Sequence, residues 1–280
     1  MLKYNFLLKY NVLLKYFSYT FMSLGILLSF SSCEKVIDVK LNTSASQVVI
    51  EGMITDQLGV QTITLSESVP YTNTNTYPAV TGAQVLVTDD NNQSWTFIET
   101  KPGTYTFNSL KAEAGRKYTM RVVANNTTYN ASSTMPSKVV LDSLTTKVIT
   151  FGGDDVKVVE AHYQDPADQV NKYRMILKVN GVQIRAVFAE NDRLTNGNNV
   201  TSTLFYDDDA NEELKTGDVA EVELQCIDKD VFTYWFTLSQ QAQNGPGSGA
   251  APGNPPSNIS NGALGYFSAN TTEKKTLTIK

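Results

Sequence analysis

What most constrains this chain is a succession of short segments in which apolar and polar residues alternate, each closed by Gly, Asn, Asp or Pro. Alternation with a period of two sets one face of a strand against a core and leaves the other to water. Such segments occupy 47–54, 61–65, 83–88, 94–99, 104–107, 117–124 and 127–133. Val85 and Val87 share one face of 83–88, which ends in Asp89-Asp90-Asn91-Asn92. Lys101-Pro102-Gly103 marks another turn, and Asn125-Asn126 predicts a hairpin between the last two segments. Strands at this spacing, with no helical stretch between them, predict a β-sandwich. Between them, 68–78 is a long loop rich in Thr, Asn, Tyr and Pro.

Met135-Pro136-Ser137 interrupts the series and divides the chain into a first domain, 47–137, and a second, 138–280. In the second, strands are expected at 139–149, 156–163, 172–179, 182–189, 201–206 and 218–227. Asn180-Gly181 is the strongest hairpin signal. The period then changes: Val231, Tyr234, Trp235, Leu238 and Ala242 recur at helical spacing. A helix is therefore expected over 230–243, capped by Asp228 or Asp230 and stopped by Asn244-Gly245-Pro246. Its aromatic residues are expected to pack on the second sheet rather than line a ligand site. A Gly/Pro/Ala/Ser loop, 245–256, precedes two last strands at 265–269 and 276–279. The fold class is thus mainly β, two Ig-like or prealbumin-like sandwiches with one helix near the C-terminus.

The first residues are of another kind. Lys3, Lys9 and Lys15 stand in a leader without acidic residues, followed by an apolar run from Phe17 to Phe30. A basic stretch, an apolar run too short to span a bilayer and small residues at its end define a secretory signal. Ser31-Ser32 directly precede Cys33, the arrangement that bacterial lipoprotein processing requires. The expectation is a cleaved signal over 1–32, acyl chains such as palmitate on Cys33, and a spacer over 33–46. The alternative is an ordinary secretory signal with a coincidental cysteine.

The formal net charge is −5, and losing three leader lysines makes the remainder more acidic. No basic stripe offers a nucleic-acid footprint. The chain has 2 cysteines, so with Cys33 acylated Cys226 has no disulfide partner. It alternates with Val222 and Leu224 on the apolar face of its strand, where a thiol is buried and inert. His162 is the 1 histidine. Without a Gly-x-Ser-x-Gly turn or a paired cysteine it reads as a structural residue at a strand end. Zinc would need more His and Cys than these. Asp207-Asp208-Asp209-Ala210-Asn211, with Asp218 beyond, has oxygen ligands in the spacing of a calcium loop. Glu212 holds the position that such a loop reserves for Gly, so a solvated acidic loop is the reading. No metal, cofactor or catalytic set is expected.

Two short motifs, Thr81-Gly82-Ala83-Gln84-Val85 and Gly103-Thr104-Tyr105-Thr106-Phe107, resemble carboxypeptidase-regulatory, prealbumin-like domains. A wider resemblance rests on the order of Cys33-Glu34-Lys35-Val36-Ile37-Asp38, Val49-Ile50-Glu51-Gly52-Met53-Ile54-Thr55-Asp56, Ala131-Ser132-Ser133-Thr134-Met135-Pro136, Tyr163-Gln164-Asp165-Pro166 and Ser257-Asn258-Ile259 followed by Gly265-Tyr266-Phe267. Together these resemble a family of Bacteroidota outer-membrane lipoproteins, a domain of unknown function numbered four-two-four-nine. The resemblance implies a lipoprotein of the cell envelope, often encoded beside a TonB-dependent outer-membrane transporter, with no established catalytic residue. In that group Asp-Ser before an apolar residue marks O-glycosylation; Asp142-Ser143-Leu144 matches and makes Ser143 a candidate, though it reads equally as a turn leading into a strand.

The functional expectation is a non-enzymatic outer-membrane lipoprotein accessory to a TonB-dependent transporter. The alternative is a stand-alone surface binding module for glycan or protein. Tyr71 and Tyr77 in the long loop, with the 245–256 loop, are the expected partner contacts.

Overall fold

The computed structural model describes residues 45–70, 76–151, 153–206, 213–243 and 253–280. The leader, Cys33, Tyr71, the acidic run 207–211 and residues 245–252 of the Gly/Pro loop lie outside them.

The first core is built by β1 (Val48–Thr55), β2 (Gly59–Glu67), β3 (Gln84–Asp89), β4 (Ser94–Lys101), β5 (Thr104–Leu110), β6 (Lys117–Ala124) and β7 (Thr127–Thr134). Alternate residues turn inward: Ile50 and Ile54, Ile63 and Leu65, Val85 and Val87, then Tyr118, Met120 and Val122. Strand β4 bends the sheet over. Its first half pairs with β3 and its second with β5, with an irregularity between Glu99 and Lys101. Asn125 and Asn126 both adopt left-handed φ, 48° and 58°, so the β6–β7 turn matches the twist of its strands.

The second core is built by β8 (Leu141–Phe151), β9 (Asp154–Gln164), β10 (Lys172–Val179), β11 (Val182–Gln183), β12 (Phe188–Asn191), β13 (Asn199–Leu204) and β14 (Val219–Cys226). Strands β13, β9 and β8 form a separate 3-stranded sheet. Its Leu141, Val159, Ala161, Tyr163 and Val200 meet Tyr173, Met175, Leu177, Val222 and Leu224 of β10 and β14. Tyr163 and Tyr173 meet edge to face at 4.8 Å.

One strand belongs to both cores. β15 (Leu264–Thr278) runs parallel to β1 from Leu264 to Asn270, then antiparallel to β14 from Thr271 to Thr278. The result is a continuous sheet, β11-β10-β14-β15-β1-β2-β5-β4-β3-β6-β7. Phe267 and Ala269 belong to the first core and Leu277 packs on the second, so the polypeptide after Ser257 crosses the boundary placed at 137. Sequence alternation predicts two strands here, because Asn270 to Lys275 is polar. The strand continues since both of its faces are covered at the crossing: Ser268, Asn270, Thr271 and Thr272 are all buried. Close approach fixes the register. A Cβ on Gly265, whose φ is +92°, would lie 2.0 Å from the Ile50 carbonyl oxygen.

The expected strand 182–189 is also different. It divides into β11 and β12, both paired with β10, and 184–187 leave the ladder between them. The helix, α1 (Lys229–Gln243), begins where expected. Asp228 caps it, its Oδ1 accepting from the N–H groups of Asp230 at 3.0 Å and Val231 at 2.9 Å. Asp228 Oδ2 also accepts from the Ser133 hydroxyl at 2.5 Å, and Ser133 Oγ accepts from Ala269 N at 2.9 Å. One side chain thus ties α1 to β7, and through it to β15. The free edge of β7 is covered by 257–262, where Ser260 N donates to the Asn130 carbonyl at 2.8 Å and Asn261 Nδ2 to that of Thr128 at 2.6 Å.

Candidate functional site

Alternation along β10 sends Tyr173, Met175, Leu177 and Val179 into the core and Arg174, Ile176 and Lys178 to the opposite face. Arg174 is register-paired with Gln225 of β14. A strand whose outward face were open would leave such an arginine in water. Here α1 lies over it, and Arg174 is only 8% exposed.

The guanidinium lies 3.4 Å from the centroid of the Trp235 ring, a cation–π stack worth about 2 kcal/mol when desolvated. Trp235 in turn meets Tyr266 of β15 at 5.0 Å and 65°, and Tyr234 meets the same ring at 5.0 Å. Arg174 Nη1 donates to Gln225 Oε1 at 3.3 Å, and Arg174 also hydrogen-bonds Tyr266. Burial pulls the Arg174 pKa down, opposed by Tyr266 and by the charge of Glu223. The guanidinium nevertheless stays cationic, as arginine does in proteins. Burial likewise pushes the Tyr234 hydroxyl up to about 12, so it is neutral. Glu223 accepts from Gln225 Nε2 at 2.7 Å and pairs with Lys274 at 3.0 Å, while Glu221 pairs with Lys178 at 3.3 Å. Among the described residues, no carboxylate stands within ion-pair distance of Arg174.

Beside this stack opens a pocket of about 330 Å³. Arg174, Trp235 and Leu238 form one side, and residues 183–187 form the other. Of these, 184–187 lie between β11 and β12, where the β10 ladder is interrupted. Ile184 holds the segment down, being 7% exposed and donating its N–H to the Leu177 carbonyl at 3.0 Å. The volume falls within the range of small-ligand sites, and the wall is largely apolar with a few polar groups.

The residues singled out from sequence lie elsewhere. His162 is held on the outer face of the 3-stranded sheet, Nε2 2.7 Å from Thr145 Oγ1 and Nδ1 3.0 Å from Thr201 Oγ1. Cys226 is 2% exposed in the second core, and burial pushes its thiol pKa up. Ser143 is exposed on β8 beside the irregularity that follows Leu141. Tyr77 is 56% exposed, away from α1 in sequence, while Tyr71 and Cys33 lie outside the described residues. Asp218, counted with the acidic run, closes a turn: its carboxylate accepts from Lys215 N at 2.7 Å and Asn180 Nδ2 at 3.0 Å. Among the described residues, no three metal-ligating side chains converge.

Residues 34–276 match the family described as "Domain of unknown function (DUF4249)". The chain belongs to the DUF4249 family. A comparison with curated protein sequences gives no match. Among solved structures, a two-domain fibronectin type III segment of chicken tenascin is similar at a TM-score of 0.24 and 11% identity, covering 85% of this chain and 99% of that one. At so low a score the likeness fixes neither strand register nor ligand. This DUF4249 chain is therefore described by its own geometry, and Arg174, Trp235 and residues 183–187 are what sequence reasoning missed. One signal was available: of the chain's arginines, Arg174, Arg185 and Arg193 fall close together, just ahead of the helix.

Proposed function

We propose that this protein is a non-enzymatic lipoprotein of the outer membrane, anchored through Cys33 and accessory to a TonB-dependent transporter. The observation that carries the reading is Cys33 itself, set behind Ser31-Ser32 at the end of a basic-then-apolar leader. Acylation there tethers an acidic module that an anionic membrane surface would otherwise repel. The spacer over 33–46 reaches at most roughly 50 Å when extended, so partners are sought at the membrane.

The non-enzymatic part is supported by how the reactive side chains are used. Both ring nitrogens of His162 are engaged by threonine hydroxyls, and Cys226 is buried with a raised pKa. The shared β15 makes the two cores one sheet, a rigid scaffold suited to presenting a fixed surface. Tyr77 is an exposed aromatic that can contribute to a partner contact, with Tyr71 and the 245–256 loop as its companions in the proposal.

The test is affinity purification from detergent-solubilised outer membrane, with a tag after the exposed Lys280. Stoichiometric recovery of a TonB-dependent transporter is expected. Recovery of the protein alone would overturn the accessory reading. It would favour the second, a stand-alone surface binding module for glycan or protein, which the pocket beside Trp235 supports.

A further inference from the structure

The Arg174 pocket has a composition that selects its ligand. A guanidinium carries five N–H donors. In Arg174 the described acceptors are Gln225 and Tyr266, both uncharged. Among the described residues, the one side-chain polar atom that is fully buried without a partner is Asn270 Nδ2. Arg174 itself lines the pocket. The carboxylates nearby are spoken for, Glu223 by Lys274 and Gln225, Glu221 by Lys178. Arg174, with Arg185 on the opposite wall, makes the lining cationic, in a chain whose net charge is −5. Around it the wall is mostly apolar, Ile176, Ile184, Ala186, Val187 and Leu238, with Gln183 and Arg185 as its polar members.

We infer that this pocket binds a small monocarboxylate with an apolar body, its carboxylate paired with Arg174 and its body against the 184–187 segment and Leu238. A planar fork facing a carboxylate in a partly dry site is the strong, orientation-fixing form of that ion pair. The Trp235 ring fixes the plane of the fork, because stacking at 3.4 Å allows the guanidinium to slide but not to tilt. The inference is independent of the transporter reading, since it concerns the soluble module alone.

The experiment uses the soluble form Glu34–Lys280 carrying Trp95→Phe, which leaves Trp235 as the single tryptophan reporter. Benzoate and hexanoate are titrated against its fluorescence, with benzamide as the uncharged control. A saturable change is expected for both acids, with Kd on the order of 1 mM or tighter, and at least a tenfold weaker response to benzamide. Arg174→Met should weaken benzoate at least tenfold. Val187→Phe, which adds bulk to the half-buried pocket wall and retains Arg174 and Trp235, should abolish binding, and it decides the matter if Arg174→Met does not fold. Equal affinity for benzamide and benzoate overturns the inference. So does unchanged affinity in Val187→Phe, or no saturation by either acid up to about 20 mM. Failure here leaves transporter capture untouched, and failure of the capture leaves this titration untouched.

Discussion

Replacing Asp228 with alanine tests how the helix is held over the site. Asp228 does two things at once. One carboxylate oxygen accepts the first free N–H groups of α1, and the other accepts the Ser133 hydroxyl of β7. Loss of an N-cap costs about 1 kcal/mol. Ser133 is 2% exposed, so its hydroxyl would lose a charged partner without gaining water, at about 2 kcal/mol. Asp228→Ala should therefore destabilise the protein by about 3 kcal/mol, a fall in Tm of roughly 6–12 °C for a unit of this size. Asp228→Asn retains the cap and the geometry and should lose only about 1 kcal/mol. The assay is urea unfolding of the soluble form, followed by far-UV circular dichroism and by fluorescence of Trp95 and Trp235. In a cycle with Ser133→Ala, the two single losses should exceed the double-mutant loss by about 1–2 kcal/mol. A loss below about 1 kcal/mol for Asp228→Ala, or additivity within about 0.5 kcal/mol, would refute the clasp.

Three other outcomes follow from the geometry. Gly265→Ala should disrupt the β1–β15 pairing and cost several kcal/mol (at least about 2 from its conformation alone), because its Cβ meets the Ile50 carbonyl at 2.0 Å; Gly59→Ala, in open space, should stay within about 0.5 kcal/mol by thermal melting. Glu99 accepts from Gly82 N at 2.9 Å and Gly103 N at 3.0 Å, and these bonds hold its pKa below 4.5. The stability they give is present above the unfolded value and lost as pH falls through the lower folded one, so wild type should exceed Glu99→Gln at pH 7 and converge with it in acid. In the soluble form Cys226 should resist a thiol reagent until urea unfolds the second core; labelling of the native protein at the rate of a free thiol would contradict its burial.

Much of the fold is legible in the chain because each strand of the sandwiches carries its own alternation and each hairpin its own turn residues. Asn125-Asn126 and Asn180-Gly181 are local signals, and the structure uses them as written. What the sequence hides depends on distant partners. Asn270 to Lys275 looks like a linker by its composition, yet Asn270, Thr271 and Thr272 are covered by elements far away in sequence. Residues 182–189 have the composition of one strand, yet β10 is long enough to pair with both ends and not with the middle. Arg174 alternates outward as any solvated arginine would, and only α1, contributed some 60 residues later, turns it into a buried charge. The helix aromatics do lie on the sheet, as their spacing implies, but Tyr234 and Trp235 meet Tyr266 in the half of β15 that pairs with β1. In that position Trp235 is both packing and pocket wall.

The reading as an anchored envelope protein turns on Cys33. The direct test is the mass of the mature N-terminal peptide, taken from purified outer membrane, beside a Cys33→Ser variant. The account predicts a chain that begins at an acylated Cys33 and a variant that leaves the membrane fraction. A mature chain beginning at another residue, or a Cys33→Ser protein that stays membrane-bound, would contradict it.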